Sequence, residues 1–295
     1  MKITNKHNLP TPYVNCIIND PYSHDGDISM TTLIKPPRIV QLTLRHFNDI
    51  ERDVMDYWKI TLGNAFHLLM EREAIVNGFT EERVKAKILD LWVSGQIDMY
   101  YADDASIVDI KTTSLWSIIY GGKSDWEKQL NGYAYLMRDV GFPVDKLQIF
   151  YCLTDWSKTQ QKRINGCPKN PLGLFDIPLW PEEKQLQYLE ERVKLHQECR
   201  DLPDNELPFC TPEERWERPS AWAVKKGENK RALRVLDTEE EAQKWIEKYT
   251  GKDGDKLWIE HRLGQSPRCE NYCDVKYFCN QYEEMMTKIM FGEDE

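Results

Sequence analysis

The feature that most constrains this chain is a pair of short strand-like runs, residues 96–101 (Gln-Ile-Asp-Met-Tyr-Tyr) and 106–112 (Ser-Ile-Val-Asp-Ile-Lys-Thr), joined by the turn signal Ala102-Asp103-Asp104-Ala105. With Asp103 and Asp104 at the centre of a tight turn, Asp98 and Asp109 stand the same number of residues out from it and face each other across the hairpin. Side chains alternate along a strand, so Lys111 projects from the same face as Asp109. Two facing carboxylates destabilise a sheet. A divalent cation such as Mg²⁺ or Mn²⁺, which prefers oxygen ligands, removes that penalty. Such a cation polarises a phosphate oxygen and acidifies water. A lysine beside it is placed to position the attacking water and offset charge on phosphorus. The alternative is a polar surface hairpin in which Asp109 and Lys111 form a same-side ion pair, and Asp-x-Lys alone does not separate the two.

The rest of the chain reads as alternating elements. Residues 1–25, rich in Pro, Asn and Asp, read as an irregular arm. From Leu42 to Arg72 the apolar residues fall at helical spacings, with Gly63 marking a joint or a close contact, and Glu81–Leu91 reads as a further helix. The pattern predicts a helix over Asp125–Val140, with Trp126, Leu130, Tyr133, Ala134 and Met137 along one side, then an apolar strand, Leu147–Leu153, beside the hairpin. Pro181–Arg200 is expected to be a charged helix with Leu186, Leu189, Val193 and Leu195 inward. After Pro208, strands at Trp222–Lys225 and Arg231–Leu236, a helix at Thr238–Tyr249 and a strand at Lys256–Arg262 compose a small ββαβ unit. The expected domains are the arm, a core over 26–205, a cysteine-containing C-terminal module over 206–285 and an acidic tail over 286–295.

A length of 295 residues, 41% hydrophobic and 30% charged, is ordinary for a globular protein. No apolar run approaches the roughly 20 residues that span a bilayer. The first residues carry no apolar segment of the secretory kind, so a cytoplasmic location is expected (the host's, for a phage-encoded chain). The net charge of −10 argues against coating nucleic acid by electrostatics alone, though not against a groove lined by bound cations.

Gly95-Gln-Ile-Asp98, Val108-Asp-Ile-Lys-Thr-Thr113 and Gln129-Asn-Gly-Tyr-Ala-Tyr135 resemble the GxxD, DxK and QxxxY motifs of RecB-type nucleases in the PD-(D/E)xK superfamily. Upstream, Gly63-Asn-Ala-Phe-His67 resembles the GxxxH helix motif of the same family, and the wider chain resembles phage and CRISPR-adaptation exonucleases. The resemblance implies a restriction-endonuclease-like α/β core, a mixed central sheet flanked by helices. It implies that Asp98, Asp109, His67 and the Ile110 carbonyl bind Mg²⁺ or Mn²⁺ and that Lys111 is the catalytic lysine. Gln129 and Tyr133, one turn apart on a helix, would orient Lys111 and contact the DNA backbone. Glu71, one turn after His67, is a secondary candidate through a water. The implied activity is a metal-dependent exonuclease acting on linear DNA ends or single strands in recombination, repair or phage replication. Partner proteins and a homo-oligomer belong to the same expectation. A sequence- or structure-specific endonuclease and a non-cutting DNA-binding scaffold are the alternatives.

Cys269, Cys273 and Cys279 supply three soft ligands in a short span. In iron–sulfur members of the family a fourth cysteine precedes the core, but here that segment reads Leu33-Ile-Lys-Pro-Pro-Arg38, with proline where the cysteine is expected. Cys210 is the expected substitute and Cys16 the weaker one, for a [4Fe–4S] cluster, a zinc ion or a set of buried thiols. Cys152, in an apolar strand, is expected in the core, and Cys167 and Cys199 have no assigned role. Trp156, Trp216, Trp222 and Trp258 would stack on bases if exposed, with core packing as the alternative.

Overall fold

A computed structural model of the chain describes residues 1–19, 25–249, 251 and 256–291. Its strands are β1 (Lys2–Thr4), β2 (Ile28–Ser29), β3 (Glu51–Asp53), β4 (Gly78–Ile88), β5 (Leu91–Tyr101), β6 (Ser106–Thr113), β7 (Lys146–Leu153), β8 (Leu172–Ile177), β9 (Ala221–Lys226), β10 (Arg234–Leu236) and β11 (Leu257–Arg262). Its helices are α1 (Thr11–Ile18), α2 (Met30–Leu33), α3 (Pro37–Arg45), α4 (Trp58–Glu71), α5 (Leu115–Ile119), α6 (Ser124–Asp139), α7 (Lys158–Arg163), α8 (Glu182–Glu198), α9 (Glu239–Glu247), α10 (Pro267–Asn271) and α11 (Asn280–Phe291). They divide into two compact units, residues 1–41 with 47–202, and residues 42–46 with 203–295. No helix among the described residues is long and apolar enough to cross a membrane.

The first unit is a mixed sheet of strand order β2-β5-β6-β7-β8, with β4 along the other edge of β5. β6 and β7 run parallel. A parallel pair needs a long crossover, and α6 provides it. This helix lays Trp126, Leu130, Tyr133, Ala134 and Met137 into a core with Val93, Ile97, Ile107, Leu147 and Ile149, to which α8 adds Leu189 and Val193. Burying each such side chain stabilises the fold by about 1.5–3 kcal/mol. Met99, Val108 and Ile110 instead pack with Phe66 and Met70 of α4. Ile107 and Val108 are neighbours on one strand, so the two clusters lie on opposite faces of the sheet. The mixed α/β core with a sheet flanked by helices is therefore as expected.

Several elements differ from the sequence reading. Residues 81–88, read as helical, form most of β4, paired antiparallel with β5 from Gly78↔Tyr101 to Ile88↔Leu91. Val84, Ala86 and Ile88 alternate with Lys85 and Lys87, a period of two that the charged Glu81-Glu82-Arg83 run obscured. The 42–72 stretch is two helices, α3 and α4, separated by β3, which pairs in parallel with β1. Gly63 lies inside α4, so the joint precedes it. The N-terminal arm is structured by β1 and α1 rather than irregular. In α8, Leu195 is only half-buried, while Gln185 and His196 are buried. In the hairpin the last pair is Tyr101↔Ser106, leaving a four-residue loop in place of a tight turn, with Ala105 at φ 48°.

The second unit contains the ββαβ motif. β9 is central in a three-stranded antiparallel sheet, β10-β9-β11. α9 packs on it through buried Ala242, beside Ala223 and Val224. Asp204 joins this unit's short upstream segment, accepting from Arg45 Nη1 at 2.7 Å and lying 2.7 Å from His46 Nε2. α11 runs to Phe291, so the expected acidic tail is helical where it is described, and 292–295 lie outside the described residues.

Candidate functional site

The backbone ladder breaks at one place, and Asp98 stands there. The β5–β6 pairs run Tyr101↔Ser106, Tyr100↔Ile107 and Met99↔Val108 and then stop, although the same register would next place Asp98 opposite Asp109. The Asp98 side chain replaces the missing backbone acceptor, its Oδ2 taking the Ile110 N–H at 2.7 Å. On the other edge the β4–β5 ladder is continuous except at the pair Glu81 and Asp98. Glu81 has a left-handed backbone, φ 54°. Both strands change phase at that pair: Val93 and Ile97 enter the larger core before it and Tyr100 after it, while Val84, Ala86 and Ile88 on β4 give way to Phe79. Such a distortion re-aims side chains without ending the sheet.

The re-aimed side chains line a cleft of 810 Å³ with His67, Glu71, Glu81, Gln96, Asp98, Asp109, Lys111, Gln129 and Tyr133 on its wall. Asp109 comes from β6, where its Oδ1 accepts from Gln129 Nε2 at 3.2 Å. Its Oδ2 is buried and paired with the Lys111 ammonium at 2.5 Å. Gln129 Nε2 also donates to Tyr133 Oη at 2.8 Å, so α6 presents the pair as one unit. Gly95 makes room for it: a Cβ there would lie 2.5 Å from the Tyr133 ring. The glycine of the GxxD run and the tyrosine of the QxxxY run thus answer to one packing contact.

The charges in this cleft perturb one another. Burial, with neighbouring Asp109 second, pushes the Asp98 carboxyl up to about 7, against the pull of His67, Lys111 and the Ile110 N–H. Burial draws the Lys111 ammonium down, but Asp109 and Asp98 outweigh it and its pKa is raised. For His67 burial again acts downward, and the Glu81 hydrogen bond with the Asp98, Glu81 and Asp109 charges leaves it raised. Opposed groups held this way in a cleft mark functional sites more often than structural ones.

The sequence reading missed Glu81, having placed it in a helix. Its Oε1 lies 2.8 Å from His67 Nδ1, and Asp98 Oδ1 lies 3.6 Å from the same nitrogen. Donor atoms of His67, Glu81 and Asp98 all fall within 4.8 Å of one another. Glu71 lines the cleft from α4 but is exposed. Asp103 and Asp104 serve the loop, accepting from Asn77 Nδ2 at 2.8 Å and Ser106 Oγ at 2.6 Å.

In the second unit Cys210 sits among Cys269, Cys273 and Cys279. Burial, then Glu214 and the three other cysteines, push its thiol up to about 12. Cys269 is pushed up to about 11 by burial and by Cys273 and Cys279, against Arg215 and Arg268. The Gln281 side chain brackets Cys210, accepting its N–H at 2.8 Å and donating to its carbonyl at 2.9 Å. Four buried or half-buried thiols gathered in one region are soft donors of the kind that a soft cation ionises when it binds. Cys16 is exposed on α1, Cys152 and Cys167 are half-buried, and Cys199 is buried. Among the tryptophans, Trp156 packs on the core and donates to the Pro168 carbonyl, and Trp222 stacks on His261. Trp258 donates to the Gly227 carbonyl and Trp216 lies under Arg268.

No protein-family model and no curated protein matches the chain. Solved structures similar to it at low identity include the following two. A protein called SSO0001 has 16% identity and a TM-score of 0.44 over 69% of this chain and 87% of that one. A phage-related exonuclease from Haemophilus somnus 129PT has 13% identity and a TM-score of 0.38 over 62% of this chain and 96% of that one.

Proposed function

We propose that this protein is a divalent-metal-dependent deoxyribonuclease of the RecB-type PD-(D/E)xK kind, and within that class an exonuclease on linear ends or single strands. The observation that carries the reading is the break in the hairpin ladder, which gathers Asp98, Asp109 and Lys111 with His67, Gln129 and Tyr133 in one cleft. Buried carboxylates beside an imidazole are a donor set that fits Mg²⁺ or Mn²⁺. His67, Asp98, Asp109 and the Ile110 carbonyl would hold the ion. When bound it polarises a phosphate oxygen and lowers the pKa of water.

The protein's own groups account for the rest. Lys111, kept protonated by Asp109 and Asp98, orients the attacking water and offsets negative charge on the phosphorus oxygens. Gln129 holds the Asp109 carboxylate and Tyr133 holds Gln129, so α6 fixes how the Asp109 carboxylate is presented to the cleft. The Ile110 N–H fixes Asp98 in the same way. We assign the four-cysteine site to a [4Fe–4S] cluster, with zinc as the other outcome. The protein would act in the cytoplasm, in recombination, repair or phage replication, with partner proteins or further copies of itself delivering the DNA.

The test is incubation with Mg²⁺ or Mn²⁺ and end-labelled linear single- and double-stranded DNA and closed circles, with Lys111→Ala in parallel. Cutting of linear DNA alone, lost in the variant, is the expected result. Nicked circles would make it an endonuclease, and binding without cleavage in either metal would make it a scaffold.

A further inference from the structure

We propose that Glu81 is a metal ligand, joining His67 and Asp98 to hold a divalent cation on the β4 side of the hairpin. The inference rests on the cleft being a divalent-metal nuclease site and adds to it a residue that none of the sequence motifs contains.

The first support is the state of each donor. Asp98 Oδ2 is engaged by the Ile110 N–H, and Asp109 is engaged by Lys111 and Gln129. Glu81 Oε1 and His67 Nδ1 share a hydrogen bond at 2.8 Å, with Asp98 Oδ1 3.6 Å from the same nitrogen, so a proton sits between donors that a divalent cation would take in its place. Donor atoms of the three residues lie within 4.8 Å of one another. One nitrogen and two oxygens in a small space suit a divalent ion that accepts mixed ligands.

The second support is burial. Clustered carboxylates are common at surfaces, where water screens them, but the Glu81 and Asp98 side chains are each only 9% exposed. Three carboxylates, Glu81, Asp98 and Asp109, here meet one ammonium and one imidazole. Arg83 also lines the cleft, so the charges come near balance, but holding three carboxylates this close in a low dielectric is costly and a divalent cation between them would remove that cost.

The third support is the effort the fold makes to place Glu81. Its left-handed backbone is one that long side chains seldom adopt, and strain of this kind clusters at functional sites. It is the point where β4 changes phase, so the strain is what turns this side chain into the cleft. A hydrogen-bond chain then fixes the carboxylate. Gln96 Nε2 donates to Glu81 Oε2 at 2.9 Å, and Gln96 Oε1 accepts from Arg83 Nη2 at 2.8 Å. Glu81 Oε1 is left pointing at His67.

The experiment is a titration of the metal-stripped full-length protein with Mn²⁺ in the absence of DNA, followed by calorimetry and by the loss of the free Mn²⁺ electron-spin signal. Wild type is compared with Glu81→Asn, Glu81→Gly and the loop control Asp103→Asn. Asparagine and glycine tolerate the left-handed backbone, so both Glu81 variants are expected to melt no lower than wild type without metal. Their Mn²⁺ affinity should fall at least tenfold, with the control unchanged. Unaltered affinity in the two Glu81 variants, or no Mn²⁺ binding by wild type, would overturn the assignment. The two readings separate cleanly. Glu81-dependent Mn²⁺ binding without any DNA cleavage sinks the nuclease and keeps the metal site. Cleavage with unaltered Mn²⁺ affinity in the variants does the reverse.

Discussion

At the scale of single residues, the hairpin count puts Asp98, Asp109 and Lys111 in one neighbourhood, but the facing pair it expects does not form: the ladder stops at Met99↔Val108 and Asp98 takes the Ile110 N–H instead. The Met99↔Val108 pair keeps the register counted from the loop. Glu81 could not be placed from the sequence, because its role depends on a left-handed φ that no local motif announces. The clue that was available is the Val-Lys-Ala-Lys-Ile alternation just downstream, which marks a strand beside the hairpin. Two predictions belong here. Lys111→Ala should lower the single-turnover cleavage rate by about 10²–10³-fold, the loss typical of a group that stabilises transition-state charge, while a gel-shift assay shows DNA still bound. Gly95→Ala puts a methyl 2.5 Å from the Tyr133 ring. It should destabilise the protein by about 1–3 kcal/mol, the usual result of overpacking, and slow cleavage by displacing Gln129. Urea denaturation and the same rate assay read both effects.

At the scale of elements, the strands and helices carried by clean periodicity were legible. α6, β7, α8 and the order of the ββαβ motif follow from apolar spacing, because each buries one face against a sheet. The misread stretches are those where packing overrides the pattern. β4 is charged on one face and reads as helix when its partner strand is unknown. The 42–72 stretch divides because β3 pairs with β1, a contact from far along the chain. α8 supplies a prediction of its own. Buried His196 reaches the Leu33 carbonyl at 3.0 Å through Nε2, and burial with the Arg192 charge holds its pKa down to about 4 from 6.5. The unfolded chain therefore binds a proton more readily than the folded one between those values. Stability is complete above about pH 6.5 and falls as the pH drops towards 4, by about 3 kcal/mol in all. Because the raised Asp98 carboxyl adds a slope of opposite sign over the same range, the His196 contribution is read as the difference in melting temperature between wild type and His196→Gln, which should narrow from pH 7 to 4.

At the scale of the whole molecule, the proposed nuclease reading requires that a chain of net charge −10 hold DNA locally, against its overall field. DNA affinity should accordingly be low in chelator and rise at least tenfold in Ca²⁺, an ion that fills oxygen sites without needing to support cleavage. Filter binding with end-labelled DNA would show it. The cysteines were legible as a spaced trio with Cys210 as the expected fourth, and the folded unit brings Cys210 near the other three. A brown protein whose visible absorbance disappears in Cys273→Ser is the expected result for the iron–sulfur assignment, and a colourless protein with stoichiometric zinc would replace it. The central claim concerns the first unit, that the broken hairpin is a metal-dependent phosphodiesterase site. Its most direct test is the rate at which metal-stripped protein cuts end-labelled linear DNA as Mn²⁺ is added back, for wild type beside Asp98→Asn. No cutting in chelator, activity restored by Mn²⁺ in wild type and none in the variant is the predicted result. Cutting in chelator, or equal rates for the two proteins, would contradict it.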